Sequence, residues 1–362
     1  MTVYKNTALN KVLQDFKSKT NFYKKKLLNV KLFDDAPFTF KNELLLSQEQ
    51  SPVYGDYTNL KYSISQVYRT SGTLSNPLIL AFSENDVNIL TDIEKESLMY
   101  AGMGKQGNAE IVINCLNYSM WTGGAFDAQA ILKTGVQLVN FGAGNTRALI
   151  NFILLLRKNK KYKVSLHCTP SYLAIIETLL FEEFKMTPDS LGIYTFYLGG
   201  ESGIQNHAFR KKLISIWNSK IYNANYGMSE INSTMASAND YNHLKFSQLL
   251  MKNFILELNI DNGKTRLLQD LKEGDKGELI ATSLCKECQP LFRYNTKEII
   301  ELIKIKENDI FFEVVSRSDD MFIYKGINVF PEQFRNILCN ITDLTGRSVS
   351  YTHLTLPTIY SV

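Results

Sequence analysis

The chain has no apolar run long enough to cross a bilayer. Its longest, Ala148 to Leu156, is interrupted by Asn151 and falls far short of the ~20 residues a spanning helix needs. No membrane segment is expected. Charge of one sign is also missing: 40 Lys+Arg against 36 Asp+Glu leave +4 over 362 residues, too dilute to predict nucleic-acid binding. The single dense basic run, Arg157, Lys158, Lys160, Lys161 and Lys163, precedes a strand-like stretch and reads as a solvated loop. Five scattered cysteines, an odd number, form no disulfide framework and imply a reducing compartment, so the cytoplasm is expected. Met1 to Thr20 alternates polar and apolar residues and lacks the apolar core of a secretory signal. Four histidines (His167, His207, His243, His353) make no short-spaced cluster, which argues against a catalytic transition-metal site.

What remains is an ordinary globular composition, 44% hydrophobic and 21% charged, in a chain long enough at roughly 150 residues per domain for two units. The first sixty residues read as an amphipathic helix (Leu9, Val12, Leu13, Phe16) followed by irregular polar chain punctuated by Pro37 and Pro52, a wrapping arm. From about residue 130 a β-turn-α rhythm occurs three times, with turns at Gly142 to Thr146, Cys168 to Ser171 and Gly199 to Gly203. In the second, Thr169 is placed to cap and Pro170 to open the helix. Such units imply parallel strands whose turns share the sheet edge where ligands bind. After Tyr226, short β-rich runs between 254 and 315 predict a mostly antiparallel subdomain. Arg317-Ser318-Asp319-Asp320 reads as a hinge, with a hairpin expected from Phe322 to Val329.

Arg69 to Pro77 packs hydroxyl side chains around Gly72 after the β-like Ser65 to Tyr68. Glycine lets backbone N–H groups turn to one point, which suits a polyphosphate, although a Ser/Thr-rich surface turn has the same composition. Gly102 to Gly107 has dinucleotide-type spacing but follows a helix rather than a strand, which refutes that reading. There is no Gly-x-Ser-x-Gly elbow at Ser202. Cys285 and Cys288 have zinc-knuckle spacing, but further ligands would have to come from distant residues such as His243, and two half-buried thiols in a turn are favoured.

Five blocks together carry a family resemblance. Thr70-Ser71-Gly72-Thr73 resembles the phosphate loop of adenylate-forming (acyl-CoA synthetase-like) enzymes, Tyr226-Gly227-Met228-Ser229-Glu230 resembles their Tyr-Gly-x-Ser/Thr-Glu block, and Arg317 to Asp320 their hinge. Pro290 to Glu298 and Arg317 to Pro331 look like the phenylacetate-CoA ligase branch in particular, as do Pro37 to Lys41 and Cys168 to Tyr172. The resemblance covers about residues 20 to 340. It implies activation of a carboxylate by ATP to an acyl-adenylate, then transfer to a thiol, usually coenzyme A.

The same resemblance assigns roles. Thr70, Ser71, Gly72 and Thr73 would hold the phosphates; Gly199, Gly200, Glu201, Asn225, Tyr226, Gly227 and Ser229 would surround the nucleotide, with Tyr226 against adenine. Glu230 would ligate Mg²⁺. Glu298 and Arg317 would grip the ribose, with Thr73, Glu230 and Arg317 as the catalytic set and Asp319 in the hinge. Tyr118, Gly123, Gly124 and Phe126 would wall the acyl pocket. Two departures stand out: Glu298 occupies an aspartate position, and Thr73-Leu74-Ser75-Asn76-Pro77 lacks the lysine many relatives carry.

The expected architecture is α/β: an amino-terminal domain (1–316) with parallel sheets flanked by helices, containing the helical arm (1–60) and a β-rich portion (227–316). A small α+β carboxy-terminal domain follows from 317 to 348, read as truncated, and 349–362 reads as a non-native tail. The expected function is ATP-dependent ligation of an aromatic or other hydrophobic acid to coenzyme A, with ATP, Mg²⁺ and coenzyme A as cofactors. Loading of a phosphopantetheine carrier protein, or nucleotide binding without turnover, are the alternatives. A homodimer is compatible with the resemblance.

Overall fold

The computed structural model describes residues 2–70, 77–201, 203–239, 243–261, 263–319, 322–324 and 327–329. Ser71, Gly72 and Thr73, Asp320, most of 317–348 and the whole of 349–362 lie outside them.

The arm begins with α1 (Thr2–Lys19) and α2 (Asn21–Lys26). Leu9, Leu13 and Phe16 recur on one face, which buries against Tyr23, Leu27, Phe33 and Phe292. The irregular chain expected next contains a third helix, α3 (Lys41–Gln50), opened by the Glu43 carboxylate accepting from the Phe40 N–H at 2.8 Å. Its buried face is Leu44, Ser47 and Gln48. Two of those three are polar, so no apolar periodicity announces it; Gln48 instead bonds the Tyr57 hydroxyl and the Ile79 carbonyl. A hairpin, β1 (Gln66–Arg69) with β2 (Ile79–Phe82), then leads into α4 (Glu84–Tyr100), capped by Ser83.

The parallel half follows: β3 (Glu110–Asn114), α5 (Thr122–Leu132), β4 (Gln137–Asn140), α6 (Thr146–Leu156), β5 (Lys163–Cys168), α7 (Pro170–Leu179), β6 (Thr195–Gly199), α8 (His207–Trp217) and β7 (Lys220–Met228). The three expected β-turn-α units are present. Alternate residues of each strand serve two cores: Ile111, Ile113, Leu166 and Phe196 meet α6, α7 and α8 on one face, while Val112, Tyr197 and Tyr222 meet α4 and α5 on the other. Pro170 opens α7 as expected. Thr169 holds the cap position without accepting a backbone bond, and its hydroxyl faces that of Ser171 at 3.1 Å.

The antiparallel half comprises β8 (Asn232–Ser237), β9 (Leu244–Phe246), α9 (Gln248–Asn253), β10 (Phe254–Asp261), β11 (Lys264–Leu267), β12 (Lys276–Ser283), β13 (Tyr294–Lys306) and β14 (Asp309–Arg317). It is not a separate sheet. One twelve-stranded sheet runs β11-β10-β12-β13-β14-β9-β8-β7-β6-β5-β3-β4, so the boundary expected at 227 falls inside β7. The expected hairpin is β15 (Phe322–Tyr324) with β16 (Ile327–Val329). No described helix is long and apolar enough to cross a membrane.

A buried ion pair locks the arm to this sheet. Arg293, 1% exposed, meets Glu257 through two hydrogen bonds of 3.1 and 3.2 Å, and its third nitrogen reaches the carbonyls of Phe33, Asp34 and Ala36. Removing one partner strands the other charge, so Glu257→Ala is expected to cost about 3 kcal/mol in urea denaturation. The apolar pair Arg293→Met with Glu257→Leu is expected to cost less; equal losses would contradict an ionic lock.

Candidate functional site

The carboxyl ends of the parallel strands open onto a cavity of about 1090 Å³. Into it come Cys115 to Asn117 after β3, Ala143 after β4, Thr169 and Ser171 after β5, Gly200 and Glu201 after β6, and Asn225 and Gly227 from β7. The antiparallel half closes it with Tyr294, Lys297, Arg317 and Asp319, and the arm adds Lys41. Thus Thr70, Gly123, Gly200, Glu201, Asn225, Gly227, Ser229, Glu230, Arg317 and Asp319, up to 249 positions apart in the chain, line one space.

Each is held in place locally. Thr70 bonds Leu78 twice, through its N–H to the Leu78 carbonyl and through its hydroxyl from the Leu78 N–H, both at 3.0 Å. Ser229 faces Thr122 hydroxyl to hydroxyl at 3.1 Å. Glu201 sits at the rim, where its carboxylate accepts from the Ser171 N–H at 2.9 Å and the Ser171 hydroxyl at 2.5 Å. Gly227 is required by close approach: a Cβ there would lie 2.1 Å from the Ser233 carbonyl oxygen.

Glu230 is buried, its carboxylate paired with the Lys41 ammonium at 2.9 Å and accepting from the Tyr294 hydroxyl at 3.3 Å. Buried Lys286 donates to the Glu230 backbone carbonyl at 2.6 Å. Arg317 is paired with Glu298 at 2.6 Å and bonds both oxygens of Asp319 at 3.0 Å. Ser318 is tied to Glu278 at 2.5 Å. Burial opposes the Glu278 charge, but hydrogen bonds from Ser318, Asn295 and Asn259 outweigh it and hold the carboxyl below its usual range.

Some expected residues lie elsewhere. Phe126, expected in the acyl wall, is 1% exposed and packs in the core with ring centroids 5.7 Å from Tyr68 and 5.5 Å from Phe82. Gly124 is pressed against the Asn117 carbonyl. The Tyr118 hydroxyl bridges Asn114 and Asn140 rather than facing the cavity. The Tyr226 ring packs edge-on against Phe312, centroids 5.2 Å apart, and does not line the space. Gly199 lies in the strand beneath it, and Glu298 stands behind Arg317. Cys285 and Cys288 are free, half-buried and buried respectively, and the described residues contain no group of metal ligands around them.

Three contributors went unread in the sequence. Lys41 is visible in the sequence only as the last residue of the Pro37 to Lys41 motif. Arg69, beside the hydroxyl-rich loop, lines the cavity and has a buried Nε with no hydrogen-bond partner among the described residues. Asp127 is the one charged residue of α5, which was the available signal. It is buried against Glu94 and accepts from Asn225 Nδ2 at 2.9 Å. Burial pushes both carboxyls up, Asp127 to about 7, so the native state binds protons more tightly than the unfolded chain. Their contribution to stability therefore falls as pH rises from about 4 through about 7. Relative to wild type, the double variant Glu94→Gln/Asp127→Asn is expected to gain about 4 kcal/mol over that window in chemical denaturation; a pH-independent difference would contradict the assignment.

No protein-family model matches the chain. Among solved structures it is similar to 2-hydroxyisobutyryl-CoA ligase in the postadenylation state, with TM-score 0.78 and 18% identity, covering 95% of this chain and 74% of that one. The fold is that of the adenylate-forming acyl-CoA ligases. In sequence the chain is similar to phenylacetate-coenzyme A ligases. It is 27% identical over 317 residues to phenylacetate-coenzyme A ligase of Thermus thermophilus, covering 85% of this chain and 66% of that protein. The Aromatoleum evansii enzyme of the same name is 25% identical over 307 residues, covering 84% and 65%. The chain thus spans just under two thirds of the length of the curated relatives it matches.

Proposed function

We propose that this chain binds ATP and a carboxylic acid and joins them as an acyl-adenylate with release of pyrophosphate, the acyl group then passing to coenzyme A. The supporting observation is the shared cavity, in which the described lining residues set four cations (Lys41, Arg69, Lys297, Arg317) against three anions (Glu201, Glu230, Asp319). A polyanion fits that balance, and the Arg69 Nε, without a partner among the described residues, offers it a donor. Lys41, on the arm, supplies a cation where the loop between Thr73 and Pro77 has none.

Glu230 suits Mg²⁺, since one hard carboxylate beside a phosphate site is the usual protein share of such an ion. Bound there, the ion would offset phosphate charge as an anionic acid approaches. Arg317, held by Glu298 and Asp319, would donate to the ribose hydroxyls. Trp121, Leu116, Ile175, Met228, Phe40 and Leu45 are among the apolar lining residues, which supports an aromatic or other hydrophobic acid. A phosphopantetheine arm in place of coenzyme A is the second reading.

The test is ATP–pyrophosphate exchange with and without aromatic acids, alongside calorimetry of ATP binding. Acid-dependent exchange is expected. In Glu230→Gln, the strengthening of ATP binding by Mg²⁺ is expected to fall about tenfold, with the thermal melt intact. Unchanged Mg²⁺ dependence would contradict the metal assignment, and binding without exchange would favour a protein that does not turn over.

A further inference from the structure

Behind the cavity wall, four elements meet at two buried carboxyls. Glu94 of α4 and Asp127 of α5 are 0% exposed, and Ser233 and Thr234 of β8 lie beside them. From β7, Asn225 reaches inward to Asp127 while also lining the cavity. Neither carboxyl lines the cavity itself; Asp127 reaches it through two lining residues, Ser233 and Asn225, of which Asn225 carries the amide whose orientation matters.

The chemistry fixes which way that amide points. A carboxylate only accepts hydrogen bonds, so above about pH 7, where Asp127 is ionised, it must face the Asn225 nitrogen. That leaves the Asn225 oxygen as the end that meets the cavity. A fixed carbonyl oxygen there accepts from an amino group and opposes another carbonyl oxygen. Glu94 maintains the arrangement by keeping the proton of the pair: burial, with the charge of Asp127 next, pushes its carboxyl well above the ordinary range.

We propose that Glu94 and Asp127 are positioning residues: they hold Asn225 with its oxygen toward the ligand, so that the site selects a purine presenting an amino group over one presenting a carbonyl oxygen. This rests on reading the cavity as a nucleotide site. In Asp127→Asn the new amide offers a donor as well as an acceptor, so Asn225 is free to turn over. In Glu94→Gln the amide nitrogen is a donor available to Asp127, and the orientation survives.

The experiment is calorimetric binding of Mg-ATP and Mg-GTP at about pH 8 to wild type and both variants, with thermal unfolding to check each fold. Wild type is expected to prefer ATP. Asp127→Asn is expected to lose about tenfold in ATP affinity and to bring the two nucleotides within about threefold of each other, while Glu94→Gln keeps the wild-type ratio. A merely structural role would weaken both nucleotides alike and leave the ratio unmoved. Should Asp127→Asn fail to fold, Glu94→Leu takes its place: Asp127 then takes up the proton itself, and the same loss of preference is expected. An unchanged ATP-to-GTP ratio in a folded Asp127→Asn or Glu94→Leu overturns the positioning role while leaving the nucleotide site standing. Absence of binding by wild type overturns both.

Discussion

The organisation of the molecule depends on one strand having two kinds of neighbour. Strand β7 pairs in parallel with β6 along one edge and antiparallel with β8 along the other. The parallel side requires helical crossovers, which place the turns after β3, β4, β5 and β6 at the same edge as the end of β7. The antiparallel side lets the chain reverse at once, so Ser229 and Glu230 stay at that edge instead of being carried away by a helix. β13 and β14 then bring Tyr294 and Arg317 back to it. A cavity walled by residues from both halves follows from that single change of direction.

Electrostatics in the cavity are arranged in matched pairs around its antiparallel wall. Glu230 is matched to Lys41 from the arm, and Arg317 to Glu298 and Asp319. Such pairs add little net stability when half-solvated. Their effect is on geometry, because a cation already oriented by carboxylates loses less freedom when an anion arrives. The arm therefore belongs to the site as well as to the fold: the Arg293 lock fixes Phe33 to Ala36, a few residues before Lys41, and Thr39 bonds the backbone on both sides of Tyr294.

The parallel half was legible in the sequence from β4 onward, because its strands are written as apolar runs and their turns carry glycine and proline; β3 and α5 were not read. The continuity of the sheet was not, since alternation along β7 says nothing about the direction of each partner. Helix α3 escaped notice because Ser47 and Gln48 occupy its buried face. Phe126 was misplaced because a motif gives a position in the chain but not the side of the helix: in α5, Gly123 turns to the cavity while Phe126 turns to Tyr68 and Phe82. Asp127, one residue on, carries the buried charge that no motif flagged.

The claim beneath all of this is that distant segments surround one nucleotide. Hydrogen–deuterium exchange of the chain with and without Mg-ATP tests it most directly. Joint protection of the ends of β5, β6 and β7, of Thr70 and of Arg317 to Asp319 is the predicted result. Protection confined to one of these segments, or falling on other faces of the sheet, would contradict it.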